Sequence, residues 1–147
     1  MNEAVRAAVP DDHPVIADLH AMATAELREQ RGGELWARQT DRATGPSFAG
    51  GAWVGTIDDT IVGYALARLD DLADGSRLAV LTDIYVLPDA RGIGVGELLL
   101  DAAIAWAVDG GAAAIDSLAL PGMRESKNFF ETAGMVARSI TVGRRLP

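Results

Sequence analysis

The segment from Asp89 to Leu100 reads DARGIGVGELLL and places three alternating glycines directly before a leucine-rich stretch. Glycine lowers stability wherever its conformational freedom is not needed. A turn that only joins a strand to a helix needs one glycine rather than three. The segment therefore has two interpretations: a tight structural turn, or a loop whose backbone approaches a ligand.

The elements on either side of the glycines favour an anion-binding loop. An apolar run, Leu78–Leu87, predicts a strand before the loop, and Glu97–Ala107 predicts a helix after it. The N-terminus of a helix offers unpaired N–H groups and a partial positive charge to an anion. A P-loop is excluded because no lysine lies near, and a G-x-G-x-x-G fingerprint would place the carboxylate of Glu97 at its last glycine. The pattern that fits is (Q/R)-x-x-G-x-(G/A), starting at Arg91.

The remaining segments predict an α/β (α+β) fold in a single domain that covers residues 1–147. Strands alternate with helices, and one parallel crossover lies near the middle of the chain. We expect Leu78–Leu87 to be central, and the helix after the loop to turn Leu98, Leu99, Ala102 and Trp106 inward. The other predicted elements are a strand Glu3–Val9, a helix capped by an Asp in Asp11–Asp12 and running to about Gln30, an irregular 34–50, a hairpin of Ala52–Ile57 and Thr60–Leu69, a strand Ala112–Leu120, a helix Glu125–Ala133 and a strand Val136–Val142.

Composition excludes several classes of function. The 147 residues carry a net charge of −8, which disfavours nucleic acid as a partner. Cysteine is absent and there are only two histidines, so we expect no disulfide, no cysteine nucleophile and no metal site. No apolar run reaches the roughly 20 residues of a membrane span, and the first residues do not read as a signal peptide. We expect a cytoplasmic protein without a membrane partner.

Two motifs in this order resemble the GNAT superfamily of acyl-CoA-dependent N-acyltransferases. The stretch IYVLPDARGIGVGELLL is similar to that family's strand, turn, pyrophosphate loop and helix, and ESKNFFETAGM resembles its later F-Y-E-x-x-G-F helix. The resemblance implies a mostly antiparallel mixed sheet with flanking helices, in which two parallel strands, Leu78–Leu87 and Ala112–Leu120, splay apart. It also implies acetyl-CoA as cosubstrate and an amine-bearing acceptor.

The resemblance also assigns residues to the cosubstrate. The pantetheine arm would pair with the backbone of the first splayed strand, the pyrophosphate would rest on the loop, and the last helix would contribute near the CoA arm. Arg91 would add charge or brace the loop. The implied cosubstrate residues are Ile84, Tyr85, Val86, Arg91, Gly92, Ile93, Gly94, Val95, Gly96, Glu97, Asn128 and Phe130.

The catalytic part of the resemblance is incomplete. Phe130 stands where the family often has a tyrosine acid, Met123 stands where it often has an asparagine, and the positions of its usual glutamates (Val80, Thr82 and Leu118) are not acidic. Asp83, Tyr85 and Asp116 are the substitute catalytic candidates, and each also has a structural explanation. Either CoA leaves without a side-chain acid, or other residues serve, or the protein binds acyl-CoA without efficient turnover.

The resulting prediction is an N-acetyltransferase that transfers an acetyl group to a primary amine of a small molecule, amino acid or peptide by direct attack. The alternatives are a non-catalytic acyl-CoA-binding or regulatory module, and a partner subunit in which the glycine loop is only a turn. The acceptor and the acyl-chain preference are left open by the sequence. By analogy with the family, Val136–Val142 would pair across a homodimer interface.

Overall fold

The sheet is mixed and mostly antiparallel, as predicted. A computed structural model describes residues 2–147 and contains five strands in the order β1-β2-β3-β4-β5. They are β1 Glu3–Ala7, β2 Gly51–Ile57, β3 Thr60–Asp71, β4 Arg77–Val86 and β5 Ala112–Asp116. Neighbouring strands from β1 to β4 are antiparallel, and β4 and β5 are parallel. The central strand is β3 and not β4, so the prediction that Leu78–Leu87 is central was wrong.

Four α-helices flank the sheet: α1 His13–Arg28, α2 Gly33–Gln39, α3 Val95–Asp109 and α4 Arg124–Thr132. Successive side chains of a strand point to opposite faces, so each face has its own core. Trp53 and Ala65 pack with Leu99 of α3, whereas their chain neighbours Val54 and Leu66 pack in the core of α1. The loop that precedes α3 therefore lies on the α3 side of the sheet, and α1 packs on the opposite side.

The predicted hairpin is confirmed. Asp58 and Asp59 connect β2 and β3 with φ values of 48° and 68°. Positive φ at both central residues is the geometry that matches a two-residue turn to the twist of its strands, and Asp tolerates it better than most residues. The acidic pair is therefore explained by the turn.

Two predictions of extent were wrong, and the inward face of α3 was predicted only in part. Leu99 is buried as predicted, and Ala102 and Trp106 pack partly buried against the core, but the buried positions also include Leu100, Ala103 and Ala107. β5 ends at Asp116 instead of Leu120. Val136–Val142 is not a strand: within residues 2–147, no strand pairs with this segment, and Val136, Ile140 and Val142 are 83–89% exposed. Alternating side chains do not form a strand without a partner, and β5 is too short to supply a long one.

Asp12 is the N-cap residue of α1, as predicted, but its side chain makes no capping hydrogen bond to that helix. Its carboxylate turns back, and Oδ2 accepts a hydrogen bond from the Val9 N–H at 2.8 Å. Both oxygens also accept from the Arg6 guanidinium, at 2.6 and 2.9 Å. The Arg6 bond and the Val9 N–H lower the pKa of Asp12 to about 2. Asp12 therefore ties β1 to the start of α1.

We expect Asp12→Asn to lower the free energy of unfolding by about 1–2 kcal/mol at neutral pH, because it removes a charge-assisted pair. Since the folded pKa lies below the ordinary 3.8, this stability is present above that value and is lost as pH falls toward the folded pKa. The loss of unfolding free energy caused by Asp12→Asn should therefore become smaller as the pH is lowered. Urea unfolding at a series of pH values measures it, and the exposed Asp18→Asn is the control. A penalty that does not depend on pH would contradict this account.

None of the helices within residues 2–147 is long and apolar enough to cross a membrane.

Candidate functional site

β4 and β5 diverge and leave a fork in the sheet. Their pairing runs from Arg77 opposite Ala112 to Val80 opposite Asp116, while β4 continues to Val86. At the point of separation the Ser117 hydroxyl donates a hydrogen bond to the Leu81 carbonyl at 3.1 Å. Beyond this bond, the edge of β4 no longer has a strand beside it. The fork is thus a built-in opening along an exposed strand edge.

The backbone of Ile84 and Val86 faces this fork. The Leu87 N–H bonds to Val62 on the β3 side at 2.8 Å, so residues 85 and 87 direct their backbone groups toward β3. By alternation, residues 84 and 86 direct theirs away from β3. The Val86 carbonyl already accepts from Arg91 Nε at 2.8 Å. Of the three residues predicted to pair with an extended ligand, Ile84 and Val86 are therefore placed to do so through the backbone, and Tyr85 is not.

The glycine loop has two positions that demand glycine. Gly92 and Gly94 adopt φ values of 83° and 99°, and Gly94 directly precedes α3. Gly96 lies within the helix, where a Cβ would stand 3.2 Å from Cε1 of Phe129 on α4. The third glycine thus allows α3 and α4 to approach, and only the first two shape the loop.

Six consecutive N–H groups of this loop are unpaired. Among residues 2–147, none of the backbone N–H groups of residues 92–97 donates a hydrogen bond within the chain; the first to do so is Leu98, to the Gly94 carbonyl at 3.2 Å. A helix of normal length leaves its first N–H groups free, and the glycine turn adds more. Such a row of donors, together with the partial positive charge of α3, is suited to a polyvalent anion.

Arg91 braces the loop. Its Nε bonds to the Val86 carbonyl, its Nη2 pairs with Glu26 of α1 at 3.1 Å, and its guanidinium lies 5.4 Å from the centre of the Tyr85 ring. The charge of Arg91 is therefore already opposed by a carboxylate. Of the two roles considered for Arg91, the structure supports bracing.

A cleft of about 760 Å³ joins the fork and the loop. It is bordered by the second half of α1, the end of β4, the glycine loop and the start of α4. Tyr85, Gly94, Phe130 and the carboxyl group of Asp83 line it. A volume of this size is in the range of small-molecule and cofactor sites. No group of three or more His, Cys, Asp or Glu residues that could hold a metal occurs in the part of the chain that the structure describes.

A buried polar cluster forms one wall of the cleft. Oδ2 of Asp83 accepts hydrogen bonds from Arg42 Nη2 and from the Tyr64 hydroxyl, both at 2.7 Å. The imidazole Nε2 of His20 lies 3.8 Å from the same oxygen. The side chains of Arg42 and Asp83 are each only 5% exposed. The carboxylate is therefore fixed through one of its two oxygens.

Burial controls the protonation of the two neutral members of this cluster. Desolvation, followed by the charge of Asp83, raises the pKa of Tyr64 far above its ordinary value, so the hydroxyl stays protonated and donates. Desolvation, followed by the charge of Arg42, lowers the pKa of His20, although Asp83 opposes this effect. At neutral pH the cluster therefore contains one cation, one anion, a neutral imidazole and a phenol.

We expect the free energy of unfolding to fall as pH drops below about 6.5, the ordinary pKa of histidine. Because the folded pKa of His20 is lowered, the unfolded chain takes up the proton first, and protonation favours unfolding. His20→Gln should flatten this slope, and His13→Gln is the matched control. Denaturant unfolding between about pH 5 and pH 8 measures the slope. An unchanged slope in His20→Gln would contradict the assignment.

The comparison that identifies the chain is a family model. The model of the Acetyltransferase (GNAT) family matches residues 16–135, which include the fork, the loop and α4. The chain belongs to the GNAT acetyltransferase family. The resemblance drawn from the glycine loop is confirmed. A search of curated proteins finds no match.

Solved structures with the same GNAT fold support this assignment. A Bacillus halodurans protein solved as a tetramutant has a TM-score of 0.77 at 20% identity, over 97% of this chain and 99% of the other. Ribosomal-protein-alanine N-acetyltransferase from Brucella melitensis gives 0.71 at 19% identity, over 99% and 100%. An aminoglycoside N-acetyltransferase in complex with CoA gives 0.72 at 18% identity, over 99% and 95%.

Within this GNAT fold, some predicted site residues lie away from the cleft. Asp116 binds the Arg138 guanidinium and does not line the cleft. Asn128 is exposed on α4 and does not line it either. The side chain of Val95 is buried in the core, and only its N–H belongs to the loop. Phe130 is 8% exposed, packs in the core and also reaches the cleft wall. It has no hydroxyl to offer there.

Two residues of the polar cluster, Arg42 and Tyr64, were not predicted from the sequence as site residues. Arg42 follows the irregular stretch after α2, and 41 positions separate it from Asp83. No short-range spacing links the two. A single arginine in a segment without periodicity carries no signal that it will be buried, so the sequence offered no route to this cluster.

Proposed function

We propose that this GNAT protein is an N-acetyltransferase that transfers the acetyl group of acetyl-CoA to a primary amine. The observation that carries the proposal is the row of six unpaired N–H groups at residues 92–97, beside a cleft that continues into the fork. The row would hold the CoA pyrophosphate, and the free edge of Ile84 and Val86 would hold the pantetheine arm. The structures of family members with CoA and amine acceptors in their names point the same way.

The proposed chemistry is direct attack. The neutral amine nitrogen forms a bond to the thioester carbonyl carbon, the carbon–sulphur bond breaks, and the sulphur of CoA departs with the electron pair of that bond. The amine proton passes to solvent or to a carboxylate, and a backbone N–H stabilises the oxyanion of the tetrahedral intermediate. No covalent intermediate on the enzyme is needed, in keeping with the lack of cysteine.

Asp83 and Tyr85 are the residues we assign to this chemistry. Oδ1 of Asp83 makes no hydrogen bond among residues 2–147, and no enclosed side-chain oxygen or nitrogen there lacks a partner, so Oδ1 is not fully enclosed, and Asp83 lines the cleft. It can accept a hydrogen bond from the amine. Burial, then the nearby Glu26, raises the pKa of Tyr85, so its phenol keeps a proton to donate to the leaving sulphur. Asp116 is left out because Arg138 occupies it.

The second candidate function is an acyl-CoA-binding module without efficient turnover. Phe130 favours it, because a buried phenylalanine at the place of the family's tyrosine cannot protonate the thiolate. In this reading the loop and the fork bind acyl-CoA in the same way. The two candidates differ only in whether the thioester is consumed in the presence of an amine.

Two measurements on the purified protein separate the candidates. Calorimetric titration with acetyl-CoA, CoA and dephospho-CoA should give micromolar binding of acetyl-CoA. A thiol-release assay with acetyl-CoA and a broad panel of primary amines should then give turnover. Binding without turnover would support the binding module. No binding of any CoA species would leave the loop as a turn and overturn both candidates.

A further inference from the structure

Two residues that line the cleft, Asp83 and Arg42, each have a polar atom without a hydrogen bond among residues 2–147. Asp83 Oδ1 is free, as described above. Arg42 donates from Nε to the Thr24 hydroxyl and from Nη2 to Asp83, and its Nη1 donates to nothing among residues 2–147. Since no enclosed side-chain nitrogen there lacks a partner, Nη1 is not fully enclosed, and Arg42 lines the cleft. A buried ion pair thus keeps one acceptor and one donor edge free, and both of its residues line the same cleft.

We propose that this pair recognises the acceptor as an α-amino acid, with the amino group on Asp83 Oδ1 and the α-carboxylate on Arg42 Nη1. The inference rests on the proposed acetyltransferase function and narrows its acceptor. The amino and carboxylate groups of an α-amino acid are neighbours, and the two atoms belong to side chains that are hydrogen-bonded to each other at 2.7 Å. Guanidinium N–H groups are the donors best matched to a carboxylate.

Charge decides between an amino acid and a simple amine. Arg42 and Asp83 together carry no net charge, so the wall is complementary to a neutral zwitterion. An amine without a carboxylate would satisfy Asp83 but leave a buried guanidinium edge with no acceptor, and it would bring a second positive charge close to it. Leaving a charged donor unpaired on binding is costly and is how sites reject analogues that lack one group.

Arg42 is held in place for this role. Its Nε bonds to the Thr24 hydroxyl at 2.8 Å, and that hydroxyl donates in turn to the His20 carbonyl at 2.8 Å. The guanidinium carbon lies 5.3 Å from the centre of the Trp36 ring, which also borders the cleft. A guanidinium fixed by a hydrogen bond on one side and an aromatic ring on another loses little freedom when a ligand binds.

The test compares matched acceptors in the thiol-release assay with acetyl-CoA. Each L-amino acid is paired with the amine that lacks its carboxylate: leucine with 3-methylbutylamine, phenylalanine with phenethylamine, and lysine with cadaverine. Leucinamide, which keeps a carbonyl but not the charge, and a leucyl dipeptide, whose carboxylate lies one residue farther from the amino group, form a third arm. We expect the preferred amino acid to exceed its amine in kcat/KM by at least about tenfold. Equal or faster turnover of the amines would overturn the proposal, as would a peptide preferred over the free amino acid.

Variants of Arg42 separate recognition from support of the fold. Arg42→Lys should lower kcat/KM for the amino acid, mainly through KM, by a factor at least about tenfold larger than the factor by which it lowers kcat/KM for the amine. Tyr64→Phe removes a hydrogen-bond donor to Asp83 but leaves Arg42 in place. It should therefore lower kcat/KM for the amino acid and for its amine by similar factors. The exposed Arg68→Lys is the matched control. If Arg42→Lys lowered kcat/KM for the amino acid and for its amine by the same factor, Arg42 would only support Asp83. The proposal that Arg42 binds the α-carboxylate would then fail.

Failure of the broader function remains distinguishable. If acetyl-CoA binds but no acceptor in the panel is acetylated, calorimetry with leucine, phenylalanine and lysine on the CoA complex replaces the kinetic comparison. Amino acid binding that is lost in Arg42→Lys would support the amino acid site, although the acetyltransferase function would be contradicted. Absence of both turnover and amino acid binding would overturn the inference, whatever the outcome with acetyl-CoA.

Discussion

Gly94→Asp will lower the affinity for acetyl-CoA by at least about 100-fold in a calorimetric titration. Gly94 sits at a φ of 99° immediately before α3, within the row of unpaired N–H groups. An aspartate there adds a negative charge at the positive end of the helix and a side chain on the surface that would face the phosphates. Both effects act on the anion, and the strained backbone weakens the loop as well.

The control for Gly94→Asp is Gly75→Asp. Gly75 lies in the turn between β3 and β4 with a φ of 86°, open space around it and no place in the cleft. The two variants add the same charge and the same type of backbone strain, so each should lose about 1–2 kcal/mol of stability. Only Gly94→Asp should lose acetyl-CoA binding. Equal affinity of the two variants would show that the loop does not hold the cosubstrate.

Asp83→Ala will destabilise the protein by about 3–5 kcal/mol, because it leaves the Arg42 guanidinium buried without a counter-charge. It will also lower kcat/KM for the amine by at least about 100-fold, because the amine loses its acceptor. Affinity for acetyl-CoA should change little, since the loop lies outside this cluster. Urea unfolding, thiol release and calorimetry measure the three effects.

The stability loss can be separated from the loss of activity with an apolar replacement of the whole cluster. In Arg42→Met/Tyr64→Phe/Asp83→Leu no charge or phenol is left unpaired, so the variant should unfold within about 1–2 kcal/mol of the wild type. Its activity should remain lost. If the triple variant were as unstable as Asp83→Ala, the Arg42–Asp83 ion pair would be needed for the packing of the fold. If it kept its activity, Asp83 would have no role in the reaction.

The sequence was informative wherever a short segment determines its own structure. Gly92 and Gly94 have the positive φ that their loop requires, and Asp58 and Asp59 form the turn that their position between two strands indicates. Periodicity located α1 and α3, although it predicted only part of the buried face of α3. In each of these cases the deciding interactions lie within a few residues of one another.

What the sequence did not predict depends on contacts between distant segments. Val136–Val142 alternates like a strand, but pairing needs a free edge of matching length, and β5 stops after five residues. The N–H of Gly96 belongs to the loop, but the sequence did not indicate that a side chain at this position would meet Phe129 of α4. Asp83 could be named as a candidate, whereas the partners that fix it come from α1, β3 and the segment after α2.

An NMR titration of ¹⁵N-labelled protein with acetyl-CoA, read at the backbone amides, tests directly whether the glycine loop and the free edge of β4 hold the cosubstrate. We expect the largest chemical-shift changes at residues 92–97, whose N–H groups donate no hydrogen bond among residues 2–147. We also expect them at Ile84, whose backbone faces the fork, because all of these N–H groups would bond to the cosubstrate. Saturation with the largest shifts elsewhere, or no shifts at all, would contradict this expectation.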